Sequence, residues 1–246
     1  NHDKKNKFLN NRDLKSLKLN LKKIIKLNSY SKNKYDVVVP VSGGKDSLFQ
    51  VIELKKITKK ILAVCVDFGL RTKVGEENLS LIYEKLNVDL IKFSLKKETI
   101  KKLALYSLDK YGDPDLFNHP LIYNIPSFIA KSLNIKTVVY GEDPRIEYSN
   151  TKINNLNILI NQKFNKNFFN NFVSHSNIDL INILNLLKID KNERDYFLYQ
   201  KSFENIKILF LGNFCKWNSI NNFKIAKKIG FKTSAITEGT YRNFVN

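Results

Sequence analysis

The sequence predicts an α/β fold built on a doubly wound parallel sheet with helical additions. Apolar runs of strand length, rich in Val and Ile, occur at residues 36–41, 61–66, 89–93 and 136–140. Stretches with helical spacing of apolar residues separate these runs, and this alternation is typical of parallel strands joined by right-handed crossovers. Ligands of such sheets bind beyond the carboxyl ends of the strands, so the turns there are the first place to look for a site.

The predicted helices follow from apolar spacing and from turn residues. They cover residues 11–27, 45–56, 76–86, 97–110, 126–133, 178–187 and 222–229. The turn at residues 111–114 ends the fourth helix, and Gly230 ends the last one. A late strand is predicted at residues 208–211, and helices are expected through most of residues 154–185.

Residues 42–47 (SGGKDS) follow the first predicted strand directly and open a helix. A glycine turn at that junction aims backbone N–H groups and the positive end of the helix dipole at one point, which suits an anion. The two glycines permit positive φ and close approach of a phosphate, the lysine adds a cation, and the serines add hydroxyl donors. The string therefore predicts a phosphate-binding loop. The alternative is a glycine turn that joins strand to helix without a ligand.

The loop departs from the Walker pattern, which needs a glycine where Val39 stands and Ser or Thr where Asp46 stands. It resembles instead the PP-loop of the ATP pyrophosphatases, a superfamily with a Rossmann-like fold. That loop grips the pyrophosphate of ATP while the α-phosphate is attacked. The resemblance implies ATP and Mg²⁺ as cofactors and AMP plus pyrophosphate as products.

Further strings indicate one branch of that superfamily. They are Pro40-Val41, residues 66–72 (VDFGLRT), Gly75, Asn78-Leu79, residues 112–114 (GDP), residues 140–143 (YGED), Glu147-Tyr148 and residues 238–241 (EGTY). Together they resemble the N-acetyl sugar amidotransferases of bacterial surface-polysaccharide pathways, which make lipopolysaccharide, O-antigen and nonulosonic acids. The resemblance runs from about residue 35 to the C-terminus. It implies that ATP adenylates the acetamido oxygen of a sugar and that ammonia then displaces AMP to form an acetamidino group.

The resemblance also implies partners. Ammonia in such systems comes from separate glutaminase and ammonia-channel subunits, and the substrate is an N-acetylated sugar. Neither Cys65 nor Cys215 lies in a nucleophile elbow beside a His and acid pair, so this chain has no glutaminase of its own. No membrane partner is expected, because the longest apolar runs are too short to cross a bilayer and no signal peptide is visible. We therefore expect a cytoplasmic enzyme.

Charge and the resemblance together assign site residues. The expected catalytic residues are Lys45, Asp46, Glu142 and Asp143. The expected nucleotide contacts are Ser42, Gly43, Gly44, Lys45, Asp46, Ser47, Asp67, Phe68 and Gly141. The expected substrate contacts are Arg71, Thr72, Glu147 and Tyr148. The expected Mg²⁺ ligand is Asp46 or, alternatively, an acid of the Glu142-Asp143 pair.

Some of these residues have structural alternatives. An acidic pair after a strand, such as Glu142 and Asp143, is often only a turn or a helix cap. Arg71 and Thr72 fit a structural role equally well. His119 fits a loop residue better than a ligand.

We divide the chain into residues 1–34, an N-terminal helical extension, residues 35–150, the ATP-binding core, and residues 151–246, a C-terminal helical and substrate region that completes the sheet. Many family members carry CxxC after Gly-Asp-Pro, where this chain reads Asp-Leu-Phe-Asn, so we do not expect the zinc site of the family. The chain starts at Asn1, and family chains continue past residue 240, so we expect a truncated piece.

The net charge of +19 and the pI of about 9.7 would ordinarily suggest a nucleic-acid partner. The lysines are scattered, and Asn and Ile are also abundant, as an A+T-rich genome produces, so we interpret the charge as solvated surface lysine. Two alternatives stay open. One is a tRNA-modifying enzyme of the lysidine-forming kind, although its Gly-His-Asn string is replaced by residues 141–143. The other is a non-catalytic nucleotide-binding subunit, against which the intact loop argues.

Overall fold

The computed structural model describes residues 11–29, 32–143, 162–163, 165–173 and 179–233. A six-stranded sheet with the order β3-β2-β1-β4-β6-β5 forms its centre. The strands are β1 Val37–Pro40, β2 Ile61–Asp67, β3 Asp89–Ser94, β4 Thr137–Tyr140, β5 Gln162–Lys163 and β6 Lys207–Phe210. The first four strands and β6 pair in parallel, and β5 joins the edge antiparallel to β6. The predicted α/β fold with a doubly wound parallel sheet is confirmed.

Helices cover both faces of this sheet. They are α1 Asn11–Asn28, α2 Lys45–Lys55, α3 Lys73–Glu84, α4 Lys97–Tyr111, α5 Asn118–Ser132, α6 Lys166–Phe168, α7 Leu180–Leu186, α8 Lys191–Arg194 and α9 Ser219–Lys228. Alternate side chains of β1 point to opposite faces, as in any strand. Val37 and Val39 pack with α1, α2, α3 and α9, whereas Val38 packs with α4 and α5. Within the described residues, no helix combines the length and apolar character that a membrane span requires.

The strand order places a topological switch point between β1 and β4. From β1 the chain winds outward through β2 to β3, then crosses to β4 on the other side of β1. After β1 and after β4 the chain therefore turns away in opposite directions. The two turns lie on either side of the crevice that a switch point forms at the carboxyl edge of the sheet. The SGGKDS loop and residues 141–143 are these two turns, so the fold brings two of the predicted strings to one edge.

Helix α5 begins eight residues before the predicted start at residue 126. Pro120 lies in its first turn, where the missing N–H costs little, but Pro126 lies in the interior and cannot donate to the carbonyl of Ile122. The hydroxyl of Tyr140 lies 3.4 Å from that carbonyl oxygen and supplies a donor in its place. The long-range contact with β4 thus compensates a helix interior that the local sequence disfavours.

The edge strand β5 was not predicted, because residues 162–163 fall in a stretch expected to be helical. Its two residues pair with Lys207 and Ile208 of β6, which is more than 40 residues away along the chain. A strand this short has no periodicity of its own. The expectation of helices in this region is therefore wrong at these two residues.

Candidate functional site

The loop after β1 has the backbone geometry of an anion-binding turn. Gly43 has φ +83°, in the left-handed region that favours glycine, and a Cβ there would lie 2.9 Å from the carbonyl oxygen of Gly75 in α3. Gly44 is the N-cap of α2 and supplies no side-chain hydrogen bond to the first turn. The positive end of the α2 dipole therefore carries no capping side chain. This geometry fits a phosphate group.

The two serines of the loop are used differently. Ser47 is buried, and its Oγ accepts a hydrogen bond from the backbone N–H of Ser42 at 2.9 Å. The two hydroxyl oxygens lie 3.0 Å apart, and the N–H of Gly44 reaches Oγ of Ser42 at 3.3 Å. Ser47 thus ties the turn together, while Ser42 is exposed at its surface. A phosphate contact from Ser42 fits this arrangement better than one from Ser47.

Lys45 and Asp46 form an ion pair at the start of α2. The Nζ of Lys45 lies 2.9 Å from Oδ2 of Asp46, and both side chains are partly exposed. The other carboxylate oxygen of Asp46, Oδ1, accepts a hydrogen bond from Nδ2 of Asn222 at 2.8 Å. The two predicted catalytic residues of the loop are therefore together, and a residue of α9 completes the cluster.

Arg71 packs against the loop, and its side chain is only 14% exposed. Its Nη1 donates to the carbonyl oxygen of Ser42, its Nη2 lies 2.8 Å from Sγ of Cys65, and its Nε lies 3.3 Å from a carboxylate oxygen of Glu76. Thr72 is the N-cap of α3, and its Oγ1 accepts from the N–H of Gly75 at 3.1 Å. Both side chains thus have structural partners, and their expected substrate contacts stay a prediction.

Asp67 is the last residue of β2, the strand next to β1, and Phe68 follows it. The carboxylate of Asp67 accepts from the N–H of Gly69 at 3.0 Å and lies 3.1 Å from Nζ of Lys92. Burial raises the pKa of Asp67, but the Gly69 hydrogen bond and the Lys92 charge outweigh that effect and hold its pKa below the ordinary value. Asp67 is therefore an anion at neutral pH. Phe68 is partly buried against the core on the Val38 face of the sheet.

The turn after β4 is tightly packed against α2. A Cβ on Gly141 would collide with the amide of Gln50, which is buried and donates through Nε2 to the carbonyl oxygen of Val139. Only glycine fits at this position. Gly141 thus keeps β4 close to α2, and its expected nucleotide contact stays a prediction.

The acidic pair after Gly141 divides into one accessible and one buried residue. Glu142 is partly exposed and accepts a hydrogen bond from the hydroxyl of Tyr123 at 3.2 Å. Asp143 is 3% exposed, and a Cβ on Gly212 would lie only 2.6 Å from its Cβ. The N–H of Gly212 also donates to the carbonyl oxygen of Glu142 at 3.0 Å. These contacts favour a turn role for Asp143, and the catalytic role expected of Glu142 stays a prediction.

The other predicted features either lie outside the described residues or have partners within the protein. Glu147, Tyr148 and residues 238–241 fall in stretches that the structure does not describe. His119 lies in the first turn of α5, so its prediction as a loop residue is wrong, and its Nδ1 lies 3.2 Å from the carbonyl oxygen of Val173. Across the described ranges, no three His, Cys, Asp or Glu side chains come together as a metal site. A Mg²⁺ ion bound by Asp46 would need water and phosphate oxygens for its other ligands, as is usual for this ion.

Asn222 is the main site residue that sequence reasoning missed. It is fully buried, and it occupies the first position of an apolar stripe formed by Ile225, Ala226 and Ile229 of α9. A polar residue at a core position of a helix is an informative signal, because buried amides need specific partners. The partner itself, 176 residues away, could not be read from the sequence.

Fold and loop define the class: a doubly wound α/β protein with a glycine-rich strand-to-helix turn at the switch point of its sheet. Among solved structures, one that is similar is the NH3-dependent NAD synthetase from Campylobacter jejuni subsp. jejuni NCTC 11168 in complex with the nitrate ion. The TM-score is 0.39 at 14% identity, over 54% of this chain and 58% of that chain, so the chain spans less than two thirds of the synthetase. Another is the predicted subunit of a tRNA methyltransferase from Methanocaldococcus jannaschii DSM, with TM-score 0.37 and 15% identity over 78% of this chain and 73% of that chain. No protein-family model and no curated protein matches the chain.

Proposed function

We propose that the chain is a PP-loop enzyme that splits ATP into AMP and pyrophosphate. The observation that carries this proposal is the turn at Gly43, closed against α3 at φ +83°, which leads into an α2 N-terminus without a side-chain cap. Ser42, Gly44 and Lys45 would hold the β- and γ-phosphates. The nucleotide, when bound, activates an oxygen of the acceptor as a phosphate ester and leaves as AMP.

The acceptor in this proposal is the acetamido oxygen of an N-acetylated sugar, and ammonia completes the conversion to an acetamidino group. Glu142 supports it, since this carboxylate is partly exposed at the edge where the loop lies and is oriented by the Tyr123 hydroxyl. A carboxylate there can take a proton from the attacking ammonia. A separate glutaminase subunit would supply the ammonia.

The cysteines support an external source of ammonia. Both are buried, and burial raises the pKa of the Cys65 thiol to about 11, although Arg71 opposes the shift. A protonated, inaccessible thiol is a poor nucleophile. Cys65 therefore suits neither glutamine hydrolysis nor sulfur transfer, which also argues against the thiolating branch of tRNA-modifying enzymes.

A second candidate is a tRNA-modifying enzyme that forms lysidine. The net charge of +19 favours it, because phosphate backbones bind basic proteins, and lysidine formation needs no thiol. The same ATP chemistry would then act on a base of tRNA. Binding of tRNA that weakens steeply with salt concentration would favour this candidate over the sugar.

The test supplies the protein with ATP, Mg²⁺ and ammonium, together with either a diacetamido sugar or tRNA plus lysine. Chromatography of the nucleotide and mass spectrometry of the acceptor are the readouts. AMP together with an amidine on the sugar supports the proposal. AMP that appears only with tRNA and lysine shows that tRNA, and not the sugar, is the acceptor. ADP as the main product overturns the ATP pyrophosphatase assignment. Nucleotide binding without turnover of either acceptor identifies a non-catalytic subunit.

A further inference from the structure

The carboxylate of Asp46 is held between two partners from distant parts of the chain. Its Oδ2 lies 2.9 Å from Nζ of the neighbouring Lys45, and its Oδ1 accepts from Nδ2 of Asn222 at 2.8 Å. Asn222 has no exposed surface, whereas Asp46 is partly exposed at the loop. The C-terminal helix α9 therefore contacts the predicted phosphate loop through a buried amide.

The position of Asn222 is fixed by packing rather than by the loop. Helix α9 packs along α2, and Ala226, one turn after Asn222, is fully buried in the shared core. The ring of Trp217, just before α9, meets the ring of Phe49 in α2 edge-on, with centroids 5.5 Å apart. The amide thus projects toward Asp46 from a rigid support.

The amide of Asn222 has a feature that packing does not explain. Its Oδ1 is buried and has no hydrogen-bond partner among the described residues. The opposite amide orientation would place this oxygen against the carboxylate of Asp46, so only the NH₂ group can face that anion. A buried acceptor without a partner destabilises the fold, and a leucine of nearly the same shape would avoid that cost. Of these two side chains, only the amide of asparagine can donate a hydrogen bond to Asp46.

We propose that Asn222 is a positioning residue of the phosphate loop, which holds the Asp46 carboxylate in place when Lys45 turns from it to a bound polyphosphate. The inference rests on the proposed function, since it assumes that Lys45 binds phosphate. An ammonium that moves to a phosphate leaves Asp46 with one partner fewer, close to a second anion. The donor from Asn222 stabilises the remaining charge and keeps the carboxylate turned toward α9. Helix α9 is then part of the ATP site.

The experiment measures binding of α,β-methylene-ATP by calorimetry in the full chain with Mg²⁺. The variant is Asn222→Leu, and the matched control is Asn221→Leu, because Asn221 is the exposed neighbour on the same helix. We expect Asn222→Leu to keep or raise the thermal midpoint and to bind about tenfold more weakly, which corresponds to the loss of one charge-assisted hydrogen bond. The control should bind like the unsubstituted protein. Should Asn222→Leu fail to fold, Asn222→Ala takes its place in each comparison.

A double-mutant cycle with Asp46→Asn separates positioning from structure. If Asn222 acts through the charge of Asp46, the Asn222 substitution has no further effect on affinity once that charge is removed. An equal loss in the Asp46→Asn background overturns the inference, and so does an Asn222→Leu variant that binds like the unsubstituted protein. Absence of binding by the unsubstituted protein is a different outcome, which overturns the proposed function and this inference with it.

Discussion

The Nη2 atom of Arg71 lies 2.8 Å from Sγ of Cys65, so an arginine outside the loop is anchored on a strand of the sheet. The same guanidinium donates through Nη1 to the carbonyl oxygen of Ser42 and lies beside the carboxylate of Glu76. One planar group with fixed donors thus connects β2, the phosphate loop and α3. This bridge fixes the loop against β2 and α3.

We predict that Arg71→Lys destabilises the protein by about 1–3 kcal/mol, because a single ammonium cannot reproduce the contacts of the guanidinium with Ser42, Cys65 and Glu76. Urea unfolding measures this change. The KM for ATP should rise as well, since the loop loses the contacts that fix it against β2 and α3. The control is Arg194→Lys, which removes an arginine bond to the Ile189 carbonyl oxygen far from the loop and should change stability without changing KM. An unchanged KM in the Arg71 variant would assign the bridge to stability alone.

The second prediction concerns the pH dependence of the Cys65 thiol. Burial raises its pKa from 9.0 to about 11, so between these values the unfolded chain releases the proton and the folded chain does not. Stability should therefore fall as the pH rises from about 9 toward 11, and Cys65→Ser should reduce that slope. Urea midpoints at a series of pH values measure the effect. A disulfide reagent near pH 8 should leave both buried thiols unmodified until the protein unfolds, and rapid reaction of one thiol in the native state would contradict this prediction.

Elements that depend on local pattern were predictable, and elements that depend on distant contacts were not. Strands β1, β2 and β4 agree with their apolar runs within one or two residues, because buried parallel strands are nearly continuous in apolar residues. Strand β3 agrees as well, although it lies at the edge of the sheet and is mostly exposed. The strand β5 depends on its pairing with β6, and the interior of α5 is contacted by the hydroxyl of Tyr140, and neither partner lies within a local window.

The same division applies to the site. The geometry of the loop was predictable, because its glycines, lysine and serines are adjacent in sequence. Its partner Asn222 was not, since that residue reaches Asp46 through the packing of α9 on α2, and neither was the contact of Gln50 with the turn after β4. Arg71 was named as a site residue, but the sequence could not show that its guanidinium points inward to Cys65 and Ser42 rather than outward to a substrate.

The third prediction compares two glycines with similar positive φ angles. Gly43 has φ +83° and Gly112 has φ +71°, but a Cβ at Gly112 meets nothing within 4 Å, whereas one at Gly43 meets the Gly75 carbonyl oxygen at 2.9 Å. Gly112→Ala should cost only the left-handed strain, about 1–2 kcal/mol. Gly43→Ala should cost more, because α3 must also shift, and it should abolish polyphosphate binding. Thermal unfolding and calorimetry with pyrophosphate test both, and equal effects of the two substitutions would show that α3 does not define the loop.

The last prediction concerns Lys45, whose only described ion pair joins it to Asp46 at the mouth of the loop. Lys45→Met keeps the aliphatic stem and removes the charge, and Asp46 retains its hydrogen bond from Asn222, so the fold and its thermal midpoint should be preserved. Loss of one charge-assisted phosphate contact weakens ATP binding by about 1.5–3 kcal/mol, and the release of AMP should fall further, since charge builds up on the phosphates during displacement. Lys101→Met, at an exposed position of α4, is the matched control and should leave both quantities unchanged. Initial rates of AMP formation and calorimetric affinities provide the comparison. A Lys45→Met enzyme that releases AMP at the unsubstituted rate would remove the loop lysine from the mechanism, even if ATP were bound.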